Sequence, residues 1–175
     1  MRRLVLGGAR SGKSTWAEAQ FADRDAVEYV ATSWPNPDDP EWVHRVQLHR
    51  ERRPATWRTT ETIDLVEVLG RDDPAPVLVD CLALWLDRVL ADAGAWDERD
   101  GWRDRVRDRF DGLVTVLRQT QRDVILVSNE VGSGVVPASS SGRLYRDELG
   151  RLNALVAAEC DEVWVSIAGI ARQWK

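Results

Sequence analysis

The octapeptide GGARSGKS, Gly7 to Ser14, restricts the fold of this chain more than any other feature of its sequence. It matches a phosphate-binding P-loop, in which backbone N–H groups surround the phosphates, a lysine offsets their charge and a hydroxyl ligates Mg²⁺. Such a loop belongs between a buried strand and a helix. The apolar run Arg3 to Gly7 precedes it, and Lys13 to Ala22 has a helical composition. The chain is therefore predicted to bind a nucleoside triphosphate.

The choice of basic residues singles out Lys13. Lys13 and Lys175 are the only lysines among 24 basic residues, and all the others are arginines. A compact ammonium reaches the β- and γ-phosphates of a bound nucleotide where a planar guanidinium would not fit. The lysine retained inside the loop therefore predicts that Lys13 takes part in catalysis.

The remaining apolar runs predict an α/β fold with a mostly parallel sheet. Short buried strands that alternate with helices require helices on both faces of such a sheet. The predicted strands after the first are Ala26 to Ala31, Val77 to Cys81, Val124 to Ser128 and Glu162 to Ile167. The predicted helices after the first are Asp39 to Arg53, Asp64 to Leu69, Leu82 to Ala93 and the amphipathic Asp97 to Gln119. Gly132 to Gly142 is predicted to be a flexible loop.

Length and composition indicate one domain over residues 1–175. The sequence has no apolar run long enough to span a bilayer and no signal peptide, which predicts a cytoplasmic protein. A net charge of −5 gives no electrostatic reason to expect a nucleic-acid partner. Cys81 and Cys160 lie far apart without metal-ligand spacing and are predicted to be reduced, structural thiols.

A P-loop needs an acidic partner at the end of a buried strand, which holds the magnesium ion directly or through water. Asp80 closes the apolar run VLVD and fits this role. The alternative is that Asp80 caps the following helix. The segment SNEVG, Ser128 to Gly132, is not the Asn-Lys-x-Asp element with which GTPases read guanine. A small-molecule kinase is the general inference.

The segment RVQLHRERRPATW, Arg45 to Trp57, contains a feature that a simple kinase does not need. His49 lies there among three arginines, a setting that suits an anionic phosphate beside an imidazole. Imidazole is a competent nucleophile toward phosphorus. A single histidine on a polar helix is more often only a surface residue, which is the interpretation given to His44. From the residues alone, both roles stay open for His49.

From Arg3 to Lys175 the sequence resembles the bifunctional adenosylcobinamide kinase / adenosylcobinamide-phosphate guanylyltransferase family of cobalamin assembly. A P-loop by itself is shared by thousands of proteins, whereas this ordered series of segments points to one family. The matching segments are GGARSGKS, YVATS (Tyr29 to Ser33), RVQLHRERRPATWRTTE (Arg45 to Glu61), LVDCLALWL (Leu78 to Leu86), VSNEVGSGVVP (Val127 to Pro137), YRDELGRLN (Tyr145 to Asn153) and DEVWVSIAG (Asp161 to Gly169).

The resemblance implies a RecA-like P-loop domain that assembles as a homotrimer and uses Mg²⁺, ATP and GTP. It implies two reactions on a corrinoid. In the first, the terminal hydroxyl of adenosylcobinamide receives the γ-phosphoryl group of ATP or GTP. In the second, a histidine attacks the α-phosphorus of GTP, and the covalent GMP then passes to the new phosphate to give adenosylcobinamide-GDP.

Carried over residue by residue, the resemblance assigns the guanylylated histidine to His49. Glu61 is expected to accept hydrogen bonds from guanine, or alternatively to be a carboxylate at the start of the next helix. A kinase without guanylyl transfer and a non-catalytic nucleotide-binding subunit remain the competing functions. The metal ligands implied are Ser14 and Asp80. The nucleotide-binding residues implied are Gly7, Gly8, Ala9, Arg10, Ser11, Gly12, Lys13, Ser14, Ala31, Thr32, Ser33, Arg50, Glu51, Arg52, Arg53, Glu61 and Asp80.

Overall fold

The chain folds around a seven-stranded sheet with the order β3-β2-β4-β5-β1-β6-β7. The computed structural model describes residues 1–34 and 36–175, without the side chains of Trp42 and Arg45. The strands are β1 (Arg2–Gly7), β2 (Glu28–Ala31), β3 (Arg58–Glu61), β4 (Val77–Asp80), β5 (Val124–Asn129), β6 (Glu162–Ile167) and β7 (Ile170–Gln173). The helices are α1 (Lys13–Ala19), α2 (Pro40–Glu51), α3 (Leu65–Gly70), α4 (Leu82–Ala93), α5 (Trp102–Gln119) and α6 (Ser140–Glu159).

The sheet is parallel except for β7, which pairs antiparallel with β6. The predicted mostly parallel α/β fold is confirmed. Residues 77–79 of β4 and 124–127 of β5 are fully buried, so helices must cover both faces of the sheet. The chain runs from β1 outward to β3 and then back through β4 and β5. Right-handed crossovers therefore place α1 and α2 on one face and α3 to α6 on the other, and the contacts of α5 with α3, α4 and α6 agree.

Two strands are absent from the sequence-based prediction because neither is apolar. The residues of β3, RTTE, are mostly exposed at the edge of the sheet. They lack the apolar residues that mark a buried strand in a sequence. The residues of β7, IARQ, form the opposite edge and follow a two-residue turn at Ala168 and Gly169, both with positive φ. A polar edge strand is stabilised by pairing with its neighbour, which its own sequence does not reveal.

Helix boundaries differ from prediction where a cap decides them. The predicted loop from Gly132 to Gly142 is wrong in its last three residues, because Ser139 accepts a hydrogen bond from the N–H of Gly142 and α6 begins at Ser140. Helix α5 begins at Trp102 rather than Asp97, because Gly101 has φ 73°. Within the described residues, no helix has the length and apolarity needed to cross a membrane.

The amino ends of the strands, away from the predicted site, hold a buried ionic cluster around Glu28. Its carboxylate is fully buried and accepts hydrogen bonds from Arg58 at 2.7 Å, Thr60 at 2.8 Å, and Arg71 and Arg122 at 2.9 Å. Burial opposes ionisation, yet the hydrogen bonds from Thr60, Arg58 and Arg122 lower the pKa of Glu28 below its ordinary value. The cluster joins β2, β3 and α3 to the turn before β5.

We expect Glu28→Gln to reduce the free energy of unfolding by about 3 to 5 kcal/mol, because it leaves Arg122 buried with one charge partner fewer. Urea denaturation at pH 7 measures the effect. Since the folded state lowers the pKa of Glu28, its stabilisation is complete above the unfolded pKa and is lost as the pH falls through the folded pKa. The difference in free energy of unfolding between wild type and Glu28→Gln should therefore become smaller at acidic pH.

The control is Glu67→Gln, which removes a carboxylate from a more exposed pair with Arg71. Such a pair contributes less than about 1 kcal/mol. Equal losses of stability in the two variants would contradict the role given to the buried cluster.

Candidate active site

The carboxyl ends of the parallel strands bring the predicted site residues to one edge of the sheet. Glu61 at the end of β3 pairs with Ala31 in β2, and Ala31 pairs with Asp80 at the end of β4. On the far side of β5, Gly7 ends β1 opposite Asn129. Adjacent strands lie about 4.8 Å apart, so the row from Gly7 to Glu61 spans roughly 19 Å. An extended ligand at this edge can meet both the loop and the glutamate.

The glycine-rich loop has the predicted position between a buried strand and a helix. It enters α1 through Gly12, whose φ of 92° lies in the left-handed region. A Cβ on Gly12 would also lie 3.0 Å from the Cα of Gly169, so glycine is required here. Lys13 is buried, and its Nζ donates a hydrogen bond to the carbonyl oxygen of Gly8 at 3.1 Å. The ammonium is thus held at the loop.

The hairpin between β6 and β7 supports the loop from behind. The carbonyl oxygen of Ser11 accepts hydrogen bonds from the Gly169 N–H at 2.9 Å and the Ser166 hydroxyl at 2.7 Å. The Ser11 hydroxyl is buried, and within the described part of the chain it has no hydrogen-bond partner. A buried hydroxyl in this loop is a donor that a phosphate oxygen satisfies. Ala9 and Arg10 form the exposed turn of the loop.

A buried tyrosine, Tyr29, links Asp80 to Arg53. Tyr29 donates its hydroxyl to Asp80 Oδ2 at 3.1 Å. Burial and the nearby Asp80 carboxylate raise the pKa of Tyr29 well above its ordinary value, so the phenol stays neutral. The guanidinium of Arg53 lies 3.5 Å from the centroid of the Tyr29 ring. Asp80 does not cap the next helix, since the N-cap of α4 is Cys81.

His49 lies near the end of α2 and is held by two arginines. Arg53 donates its Nε–H to the His49 carbonyl oxygen at 2.8 Å. Arg52 lies with Nη2 3.0 Å from His49 Nδ1 and also forms an ion pair with Glu18 at 3.2 Å. Glu18 belongs to α1, the helix that follows the phosphate loop, and is buried. The structure therefore joins the predicted histidine to the loop helix through one guanidinium.

Three predicted site residues lie on a more exposed surface. Arg50 and Glu61 form an ion pair at 3.1 Å, and each side chain is 59% exposed. Glu51 is exposed and accepts a hydrogen bond from Gln47 within α2. Glu61 ends β3, and the N-cap of α3 is Asp64. The interpretation of Glu61 as a carboxylate at a helix start is therefore wrong.

The predicted segment Ala31 to Ser33 continues from the end of β2 along the same edge. Thr32 is fully buried; its hydroxyl donates to the Cys81 carbonyl oxygen at 2.7 Å and accepts from the Cys81 N–H at 3.1 Å. The Ser33 carbonyl oxygen accepts from Arg88 at 3.4 Å. These bonds tie the ends of β2 and β4 together, so the Thr32 hydroxyl stabilises the site's frame.

The residues predicted to hold Mg²⁺ fit that ion in type and position. Ser14 is half-buried in the first turn of α1, and Asp80 is half-buried at the same edge of the sheet. Mg²⁺ takes one or two protein oxygens and completes its shell with water and substrate phosphates. Within residues 1–34 and 36–175, no cluster of three or more His, Cys, Asp or Glu side chains forms a metal site. A P-loop site does not need one.

The two cysteines are excluded as nucleophiles. Both are unpaired and buried, which confirms the prediction of free structural thiols. Burial raises the pKa of Cys81 and of Cys160 to about 12, so neither forms a thiolate at neutral pH.

Sequence reasoning missed the contributions of Glu18 and Tyr29. Tyr29 lies inside the quoted segment YVATS, but nothing in that segment indicates a contact with Asp80. Glu18 carries no sequence signal, because one carboxylate on a short helix is typical of a solvated face.

Residues 3–174 match the sequence profile of a family described as cobinamide kinase / cobinamide phosphate guanyltransferase. The chain belongs to this family. It is 38% identical over 178 residues to the bifunctional adenosylcobalamin biosynthesis proteins CobU of Salmonella typhimurium and Escherichia coli, with 97% of each chain covered. It is 41% identical over 174 residues to CobP of Pseudomonas aeruginosa, covering 97% of this chain and 95% of that protein. The family indicated by the ordered motifs is confirmed.

A solved ATPase from the type III secretion system of pathogenic bacteria has a similar fold. The TM-score is 0.56 at 15% identity, over 94% of this chain and 50% of that chain. At this identity the likeness shows the fold alone, and the chain spans about half of that ATPase's length. The predicted RecA-like P-loop fold is confirmed.

Proposed function

We propose that this chain catalyses both reactions of its family within one domain over residues 1–175. It phosphorylates the terminal hydroxyl of adenosylcobinamide with ATP or GTP, and then transfers GMP from GTP to that phosphate. The observation that carries the proposal is the connection of His49 to the helix of the phosphate loop, through Arg52 and Glu18. One bound triphosphate then lies within reach of both chemistries.

In the kinase step, the substrate hydroxyl oxygen loses its proton to water and forms a bond to the γ-phosphorus. The bond from that phosphorus to the β-γ bridging oxygen breaks, and the nucleoside diphosphate leaves. The loop and Lys13 position the β- and γ-phosphates and offset their charge. The Ser11 hydroxyl donates to a phosphate oxygen. Ser14 and Asp80 would hold Mg²⁺, which supplies further positive charge to the phosphates when bound.

In the guanylyl-transfer step, a ring nitrogen of His49 forms a bond to the α-phosphorus of GTP. The bond to the α-β bridging oxygen breaks and its electron pair leaves with pyrophosphate. A phosphate oxygen of the corrinoid then attacks the same phosphorus, the P–N bond breaks, and His49 is regenerated. Arg52 and Arg53 offset the charge of the phosphate oxygens. Covalent catalysis divides one displacement between two anions into two easier steps.

Glu61 reads the guanine base in this proposal. A carboxylate accepts hydrogen bonds from guanine N1–H and N2–H₂, which adenine does not offer. Its exposed pair with Arg50 is worth about 1 kcal/mol or less, so the base displaces it at little cost. Arg50 and Glu51 are assigned to the same nucleotide site in this proposal.

We also infer a homotrimer that acts in the cytoplasm. The support for assembly is the family resemblance together with an exposed apolar group at the β6–β7 edge, where Ile167, Ile170 and Trp174 are 60 to 77% exposed. Sedimentation equilibrium, with 19.8 kDa per chain, tests the subunit number.

An assay with two labels tests the proposed function. With Mg²⁺ and α-labelled GTP we expect a covalent protein adduct that is labile in acid and stable in base, as a P–N bond is. With γ-labelled GTP we expect label on cobinamide and none on the protein. Labelled cobinamide without any protein-bound GMP would instead support a kinase alone, and no transfer of either label would support a non-catalytic subunit.

A further inference from the structure

Glu18 is a buried carboxylate to which the proposed chemistry gives no task. Its side chain is 9% exposed, and it lies on α1, four residues after Ser14. Two contacts of 3.2 Å join its oxygens to Nε and Nη2 of Arg52. Burial raises the pKa of Glu18, and the guanidinium opposes that shift. The two contacts with the Glu18 carboxylate hold the Arg52 guanidinium in a defined position.

Arg52 also contacts the ring of His49. Its Nη2 lies 3.0 Å from His49 Nδ1, and a guanidinium can only donate hydrogen bonds. Nδ1 is therefore the acceptor, and the proton of the neutral imidazole is assigned to Nε2. The Arg52 side chain is 41% exposed, so without Glu18 it would be free to adopt other rotamers.

We propose that Glu18 is a positioning residue for guanylyl transfer, an inference that rests on the proposed function. It anchors Arg52, which orients the His49 ring and fixes its tautomer with the lone pair on Nδ1. As Nδ1 bonds to the α-phosphorus, the electron pair of the breaking P–O bond leaves with pyrophosphate. The proton on Nε2 stays in place at that moment. The Arg52 N–H moves from Nδ1 to a non-bridging oxygen of the α-phosphate, where negative charge accumulates.

The test is Glu18→Gln, which keeps the shape of the side chain and removes its charge. We expect the rate of adduct formation from α-labelled GTP to fall about 10- to 100-fold, the effect of a misplaced catalytic group. Transfer of the γ-phosphoryl group to cobinamide should stay within about threefold of wild type. The matched control is Glu159→Gln, which removes a carboxylate paired with Arg118 at the surface and should change neither rate.

Two further measurements separate positioning from structural damage. Arg52→Ala should reduce adduct formation, and adding Glu18→Gln to it should cause little further loss of adduct formation, since both changes break one connection. In ¹⁵N-histidine NMR, wild-type His49 should show the Nε2–H tautomer, and Glu18→Gln should show both tautomers. His44→Gln assigns the signals, because the chain has two histidines. Phosphorus–nitrogen coupling in the adduct should identify Nδ1 as the bonded atom.

Parallel losses of both activities in Glu18→Gln would overturn the inference, and so would an unchanged adduct rate or a bond to Nε2. Failure of the proposed function looks different. In that case wild-type protein itself forms no adduct, whereas a wild-type adduct that Glu18→Gln forms equally fast refutes only the role of Glu18.

Discussion

Replacing His49 by alanine is expected to abolish the covalent GMP adduct while leaving phosphorylation of cobinamide largely intact. In the proposed mechanism the kinase step uses the phosphate loop and Lys13, and these groups do not depend on an imidazole. Guanylyl transfer loses its nucleophile, and neither buried thiol can replace it, because the pKa of Cys81 and of Cys160 is about 12. Label from α-labelled GTP on the protein should fall below detection, and the γ-label on cobinamide should change less than about threefold.

His44→Ala is the matched control, because it removes the chain's other histidine from the same helix, where it is exposed. It should leave the adduct intact. Circular dichroism should show that both variants are folded. A stable adduct in His49→Ala would place the nucleophile elsewhere in the chain, and loss of the adduct in His44→Ala alone would reverse the assignment of the two histidines.

The buried part of this fold was predictable because its signals are local. An apolar strand, a glycine loop and a helix follow one another within the first 19 residues, and the predicted limits of α4 match the structure at both ends. Burial on both faces produces continuous apolar runs in β4 and β5, which the sequence displays directly. The edge strand β3 has no such run, since its four residues are RTTE.

The candidate site was predictable only in its separate parts. The P-loop, His49 and Asp80 each belong to a motif, but the contacts that connect them cross between elements distant in sequence. Glu18 reaches Arg52 over 34 positions, and Tyr29 reaches Asp80 over 51. Such pairs depend on how the residues that follow α2 approach α1 and on which strands are neighbours. A single sequence contains no local record of either arrangement.

Lys13→Ala is expected to lower both activities, by about 10²- to 10³-fold in kcat/KM, the usual loss on removing one charge-stabilising donor at a reacting centre. The ammonium is buried at the loop, beside the carbonyl oxygen of Gly8. In the proposed mechanism it meets the β- and γ-phosphates of the triphosphate used in either reaction. Lys13→Arg should not restore activity, because a planar guanidinium does not fit where a compact ammonium does.

The chain's only other lysine supplies the control. Lys175 donates hydrogen bonds to the carbonyl oxygens of Ala157, Ala158 and Cys160 at the end of α6. Lys175→Ala should therefore reduce the stability of the protein slightly and change the rate of neither transfer reaction. The activities that Lys13→Ala loses then show whether the two reactions share one nucleotide site. If one triphosphate site serves both, the α-label and the γ-label fall together. Retained adduct formation with a failed kinase step would require a second nucleotide site, and His49 would then act independently of the loop.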